Sequence, residues 1–183
     1  MTNALIIGGT GMLGGATEWL TEHVDHTTVI ARNQTKFQRL QEKLTHPEKL
    51  TFLPINYQNN ELLKNHIKEM IVKNGPISIV VSWIHSTAPE ALPTIITTID
   101  SLQTKRWSLY HVTGSSADLS KIKQRLTVPE TCDYLQVQLG FIIEQNRPRW
   151  LTHQEISNGV IEAIKHKNKV TVVGTLETWE QRP

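Results

Sequence analysis

Ala4-Leu5-Ile6-Ile7-Gly8-Gly9-Thr10-Gly11-Met12-Leu13-Gly14-Gly15 is the stretch that decides how this chain folds. An apolar run without polar alternation reads as a strand buried on both faces. The glycines give a turn, and a helix opens after them. Gly9, Gly11 and Gly14 fit the spacing G-x-G-x-x-G, while Gly8, Gly11 and Gly14 fit G-x-x-G-x-x-G. One glycine permits turn angles that a Cβ forbids, a second lets the backbone approach a pyrophosphate, and a third lets the helix pack on the strand. The helix N-terminus offers free N–H groups and the positive end of its dipole to an anion. A strand, a glycine turn and a helix in that order form the context in which the motif means dinucleotide binding. Gly8, Thr10, Gly11, Met12, Leu13 and Gly14 are the residues expected at the pyrophosphate.

Working outward, strand and helix patterns alternate to the end of the chain. After the first strand (3–8) and helix (about 12–23) come strands over 27–31, 50–55, 77–84, 107–112, 133–139 and 169–173. Helices are predicted over about 35–45, 60–74, 89–104 and 117–126, and from the Thr152-His153-Gln154-Glu155 capping box to about 166. Residues 144–150, with Pro148 and two arginines, read as a connecting loop. Pro54 marks the third strand as an edge or ends it, and Asn74-Gly75-Pro76 stops a helix. The alternation predicts an α/β fold: a doubly wound, mostly parallel sheet of about seven strands, order 3-2-1-4-5-6-7, with right-handed crossovers and helices on both faces. Residues 1–183 then form one dinucleotide-binding domain, with its crevice at the carboxyl ends of strands one and four.

Composition narrows the partners. The net charge is only +2 and no run of lysine and arginine occurs, so nucleic acid is not the expected ligand. No apolar run approaches a membrane span, and no basic leader precedes residues 4–7, so no membrane partner is expected. The single cysteine, Cys132, allows no intrachain disulfide and fits a reducing, cytoplasmic setting. No His-Glu-x-x-His, Gly-Lys-Ser/Thr or Gly-x-Ser-x-Gly sequence is present, and no metal site is expected. The five tryptophans are scattered, and packing is the expected role of Trp150 and Trp179.

Residue 32 addresses the choice of dinucleotide. A carboxylate near the end of the second strand accepts hydrogen bonds from an unmodified ribose. Here the strand ends in Ala31-Arg32-Asn33, and a guanidinium pairs with a 2′-phosphate instead. Arg32, Asn33 and Lys36 one turn further on therefore predict NADP(H) in preference to NAD(H). By position in such a fold, Asn56 faces the adenine, and Ser82, Trp83 and Ile84 run past the ribose on the nicotinamide side.

Together these residues resemble the short-chain dehydrogenase/reductase superfamily, in a small atypical form. Gly8 to Gly14, Arg32, Ser82-Trp83, Thr113-Gly114-Ser115-Ser116 and Gly140-Phe141-Ile142 carry the resemblance, over about residues 1–143. It implies a Rossmann fold, an NAD(P) cofactor, and a nicotinamide near the ends of strands four to six, beside Thr113, Phe141 and Ile142. It also implies that Ser115, with Ser116 equally placed, is the serine that hydrogen-bonds a substrate carbonyl. Catalytic relatives carry Tyr-x-x-x-Lys after strand five. Here Tyr57, Tyr110 and Tyr134 are followed four residues on by Glu61, Gly114 and Gln138, so the motif is missing. Lys121 and Lys123 read as solvated helix charges, and Tyr110 and His111 as core packing. The chain also lacks the long C-terminal substrate region of larger members. Its pocket is expected to be small, open, or completed by a partner subunit in a homo-oligomer. Two main expectations stand: an NADP(H)-dependent oxidoreductase acting on a small carbonyl or alcohol substrate, or a catalytically silent NADP(H)-binding sensor or regulatory protein. A structural subunit that has lost the ligand is a third.

Overall fold

The computed structural model describes residues 1–177, 180, 182 and 183. Trp179, expected to pack, lies outside the described residues. The chain runs β1 (Asn3–Ile7), α1 (Gly14–His23), β2 (His26–Ile30), α2 (Gln34–Gln41), β3 (Leu50–Leu53), α3 (Asn60–Asn74), β4 (Ile77–Ser82) and α4 (Ala91–Leu102). It continues through β5 (Trp107–Thr113), α5 (Leu119–Arg125), β6 (Cys132–Leu139), β7 (Phe141–Glu144), β8 (Arg147–Trp150), α6 (His153–His166) and β9 (Val170–Val173). Seven strands form one sheet in the order β3-β2-β1-β4-β5-β6-β9, and all six pairings are parallel.

The first strand shows why the sheet is buried on both sides. All five residues of β1 are buried. Ala4 and Ile6 join a core with Leu13 just before α1, Ala16 and Leu20 of α1, Phe37 and Leu40 of α2, and Ile156 and Val160 of α6. Leu5 and Ile7 join the opposite core with Leu63 and Ile67 of α3 and Ile95 and Ile99 of α4. A strand with no polar face is stable only where helices cover both sides. Each such aliphatic side chain removed from water contributes about 1.5–3 kcal/mol.

Punctuation residues act as their chemistry dictates. Gly75 ends α3 at φ +87°, and β3 stops before Pro54 at one edge of the sheet. The capping box at α6 is complete: Thr152 Oγ1 accepts from the Glu155 N–H, and the Glu155 carboxylate accepts from the Thr152 N–H at 2.8 Å.

Two expectations are corrected. Residues 144–150 are not a plain loop. β7 and β8 pair antiparallel, with Glu144 opposite Arg147 and Phe141 opposite Trp150. Gln145 and Asn146 turn between them with φ of +50° and +62°, the left-handed pair that matches strand twist in a two-residue hairpin. The polar sequence Arg147-Pro148-Arg149 concealed it. The crossovers are also not of one hand. From β4 to β5 the chain moves across the sheet with α4 on the α3 side. From β6 to β9 it moves the same way with α6 on the α1 side. This last crossover therefore has the opposite hand to the others, against the usual rule. Small residues make room for it. A Cβ on Gly15 of α1 would lie 3.0 Å from Ser157 of α6, and one on Gly159 would run into Val173 of β9.

Candidate functional site

The glycine loop lies where the winding of the sheet reverses, since β1 pairs with both β2 and β4. The Gly8 N–H donates to the Ile30 carbonyl at 2.9 Å, and the Trp83 N–H donates to the Ile7 carbonyl at 3.1 Å. These bonds bring the ends of β2 and β4 against the loop. Gly8 sits at φ +77°, and a Cβ there would stand 2.9 Å from the Trp83 carbonyl oxygen. Gly9 is packed on all sides, and the Thr17 hydroxyl donates to its carbonyl at 2.8 Å. Gly11 is different: a Cβ there would meet nothing within 4 Å. It is the open part of the cradle.

The third glycine role falls elsewhere than expected. A Cβ on Gly14 would make only an ordinary contact, 3.9 Å from Leu40. Close packing belongs instead to Gly9 and Gly15, because α1 starts at Gly14 after a turn closed by the Gly14 N–H on the Gly11 carbonyl at 2.9 Å. Leu13 is fully buried in the core, and the Met12 carbonyl accepts from the Ser157 hydroxyl at 2.9 Å. The Leu13 side chain and the Met12 carbonyl are thus occupied by the fold.

Three hollows lie at the carboxyl ends of the strands and beside the loop. One, of about 330 Å³, lies between the start of α1, α2 and α6. Thr10 and Gly11 form its floor, and Lys36, Arg39, Lys43 and His153 ring it, with Glu18 the one acidic side chain. The second, about 250 Å³, opens past the ends of β2, β3 and β4, with Arg32, Asn56, Tyr57, Gln58, His85 and Thr87 on its walls. Arg32 and Lys36 therefore stand in different hollows, and neither has an ion-pair partner among the described residues. The Asn33 side chain is already engaged, accepting the Lys36 N–H at 2.9 Å as the cap of α2. Asn56 lines this hollow and folds back on Gln58.

The third hollow, about 180 Å³, lies past β4, β5 and β6. Trp83, Ser115, Leu139, Trp150, Leu151 and Ile156 line it, with Gly114 and Gly140. Ser115 is half-buried there, whereas Ser116 is exposed and outside the wall, so the structure separates the two serines. The Ser115 loop is fixed from below. Gln138 Nε2 donates to the carbonyls of Ser115 and Ala117 at 3.2 and 2.9 Å. Thr113 and Ser82 end their strands as buried residues whose hydroxyls have no protein partner. Ile84 is half-buried beyond β4.

The expected pair Phe141 and Ile142 is not brought to this hollow. Phe141 is fully buried, and its N–H and carbonyl both pair with Thr175, at 3.0 and 2.8 Å. Ile142 belongs to the hairpin, paired with Arg149. Their places on the wall are taken by Leu139, Gly140 and Trp150. Trp150 is half exposed on the rim, not packed as expected. Its hairpin is braced. Arg149 binds Glu155 through two hydrogen bonds of 2.9 Å and Glu144 through one of 2.7 Å, and it also donates to the Trp150 carbonyl. Arg149, helped by the Thr152 N–H, holds the Glu155 carboxyl down at about 2.

No tyrosine occupies the place of a proton donor. α5, where the family motif would lie, has seven residues and no tyrosine. The Tyr110 hydroxyl donates to the Ile164 carbonyl in the core at 3.3 Å, and Tyr57 accepts the His85 N–H. The Tyr134 hydroxyl lies 2.8 Å from His111 Nδ1, and burial pushes its pKa well up. Lys121 is exposed and pairs with Asp118 at 3.3 Å. Burial also pushes the Cys132 thiol up to about 12, which keeps it protonated and inert near neutrality.

Burial lowers His111 to about 4. The unfolded chain therefore binds a proton that the folded chain refuses as pH falls from 6.5 toward 4. This penalty is absent above the unfolded value and amounts to about 2 kcal/mol by pH 5. Urea unfolding at pH 7 and pH 5 should show that loss, and His111→Asn should flatten it; an equal slope in the variant would contradict it.

No protein-family model matches the sequence, and no curated protein matches it. Solved structures do match in shape. An alcohol dehydrogenase from the archaeon Thermococcus sibiricus, complexed with 5-hydroxy-NADP, aligns over 100% of this chain and 99% of its own, with TM-score 0.72 and 14% identity. An NADPH-dependent reductase involved in bacilysin biosynthesis aligns over 95% and 99%, with TM-score 0.73 and 12% identity. A short-chain dehydrogenase/reductase from Brucella melitensis aligns over 93% and 94%, with TM-score 0.68 and 10% identity. With the parallel seven-stranded sheet and the glycine turn at its switch point, these matches identify the fold: the chain is built as the short-chain dehydrogenases/reductases are.

Proposed function

We propose that this protein binds NADP(H) and acts as an oxidoreductase on a small carbonyl or alcohol substrate. One observation carries the reading. The open cradle at Gly11, at the point where the sheet reverses, shares its hollow with the cations Lys36, Arg39 and Lys43, and Arg32 lines a second hollow past the end of β2. The donor set fits a phosphorylated dinucleotide. Thr10, Gly11 and the start of α1 would face the pyrophosphate, Arg32 would pair with the 2′-phosphate beside Asn56 at the adenine, and Lys36 would add positive charge from the neighbouring hollow. Gly8 sets the turn, and the ends of β4 and β5 border the nicotinamide. A charge-assisted bond from Arg32 contributes about 1.5–3 kcal/mol, roughly tenfold to a hundredfold in affinity.

When bound, the reduced nicotinamide supplies hydride to a carbonyl carbon. Ser115 donates a hydrogen bond to the carbonyl oxygen, and Gln138 fixes the loop that holds it. The proton that completes the alcohol comes from water, because no tyrosine lines the hollow of Ser115. Ser115→Ala is expected to lower turnover at least about tenfold with NADPH affinity unchanged. Full turnover in that variant would remove the serine from the reaction. The neighbours named for NADP and NADPH support the cofactor reading.

A seven-residue α5 without the tyrosine–lysine pair favours a second reading, an NADP(H)-binding sensor without turnover. Transfer of deuterium from 4-deuterated NADPH to a panel of aldehydes and ketones separates the two. Stereospecific label in an alcohol supports the enzyme; binding without transfer supports the sensor.

A further inference from the structure

The hollow beside Ser115 also bears on what the substrate is, and the inference rests on the cofactor reading above. Its walls are apolar. Two indoles, Trp83 from the end of β4 and Trp150 from β8, stand with Leu139, Leu151 and Ile156, and Ser115 supplies the polar side chain. No lining residue is ionisable. The hairpin that bears Trp150 carries Glu144, Arg147 and Arg149, and with Glu155 of α6 these charges sum to zero. An anionic substrate would lose hydration against apolar walls and gain no counter-charge there. A flat uncharged ring gains contact with indole faces and edges.

We infer that the pocket takes a small, uncharged aromatic or unsaturated carbonyl compound, with Trp150 as its specificity-determining wall. Trp150 is placed for this by the hairpin that replaces a plain loop, and the Arg149 bonds to Glu144 and Glu155 hold the hairpin against α6. The indole is half exposed, so its replacement leaves the core intact.

The test uses benzaldehyde and phenylglyoxylate, which share a ring and differ by a carboxylate next to the carbonyl. Saturation-transfer NMR on the protein loaded with 1,4,5,6-tetrahydro-NADP, whose ring is uncharged and transfers no hydride, reads binding without turnover, and NADPH oxidation reads KM and kcat separately. Saturation transfer to benzaldehyde and not to phenylglyoxylate is expected. Trp150→Ala should raise the benzaldehyde KM and weaken its NMR signal by about tenfold or more, Trp150→Phe should restore both, and NADPH affinity should be the same in all three proteins. Equal binding of the two compounds, or an unchanged KM in Trp150→Ala, overturns the inference while leaving the cofactor reading standing. Failure of the unsubstituted protein to bind NADPH overturns both.

Discussion

Gly11→Leu is expected to reduce NADPH affinity by at least about a hundredfold while the melting temperature stays within about 2 °C of the parent. Two observations set these outcomes apart. A side chain at residue 11 enters open space, with nothing within 4 Å of its Cβ, so the fold tolerates it. Gly11 does not have positive φ, so no left-handed strain arises. The same open space is where the account seats the pyrophosphate, and a leucine there fills it. Gly8→Ala makes the contrast. Residue 8 needs φ +77°, and its Cβ would press on the Trp83 carbonyl at 2.9 Å, so stability and binding should fall together. Isothermal titration with NADPH and thermal unfolding on both variants check the pair. Unimpaired NADPH binding by a folded Gly11→Leu protein would show that the pyrophosphate lies elsewhere.

Gly140→Ala should be the most destabilising single-methyl change at the far side of the site, costing about 4 kcal/mol and lowering the melting temperature by about 10 °C. An added Cβ would overlap the Thr175 carbonyl, a backbone atom that cannot rotate away. That carbonyl accepts the Phe141 N–H, and the Gly140 N–H reaches the Val173 carbonyl at 2.9 Å. The methyl therefore separates the end of β6 from the segment after β9, and Leu139 and Gly140 leave the wall they share with Ser115 and Trp150. Gly174, at φ +77° and 2.6 Å from the Phe141 carbonyl if given a Cβ, closes the same clasp from the other strand. Differential scanning calorimetry of Gly140→Ala measures the loss; a shift of under 2 °C would mean that the clasp is not structural.

Much of this architecture is written in short-range chemistry. An apolar run followed by Gly8-Gly9-Thr10-Gly11 states a buried strand, a turn and a helix, because each residue type answers a local demand. Thr152 and Glu155 announce α6 in the same way. What was hidden depends on distant partners. The hairpin is not legible as strands because Arg147 and Arg149 break the apolar pattern, and Arg149 is there to meet Glu144 and Glu155. Its signal was Gln145-Asn146, two residues that must both turn left-handed. The reversed last crossover leaves no periodicity at all. It shows only as Gly15 facing Ser157 and Gly159 facing Val173, contacts that exist once α6 lies on α1.

The same distinction runs through the site. Arg32 could be placed from its distance beyond the glycines, since β2 is a short strand with a fixed end. Phe141 could not, because its burial follows from pairing with Thr175, more than thirty residues away. Trp150 reached the rim through the hairpin. Ser115 and Ser116 became distinguishable only through Gln138, which holds the Ser115 carbonyl and leaves Ser116 facing solvent.

Everything proposed for this site depends on a 2′-phosphorylated dinucleotide seated at the glycine loop with Arg32 on its phosphate. The direct measurement is titration of the purified protein with NADPH and with NADH at one ionic strength, repeated on Arg32→Glu. The account predicts NADPH binding tighter than NADH by about tenfold or more, and loss of that preference in the variant. NADH binding as tightly as NADPH, or a preference that survives Arg32→Glu unchanged, would contradict it.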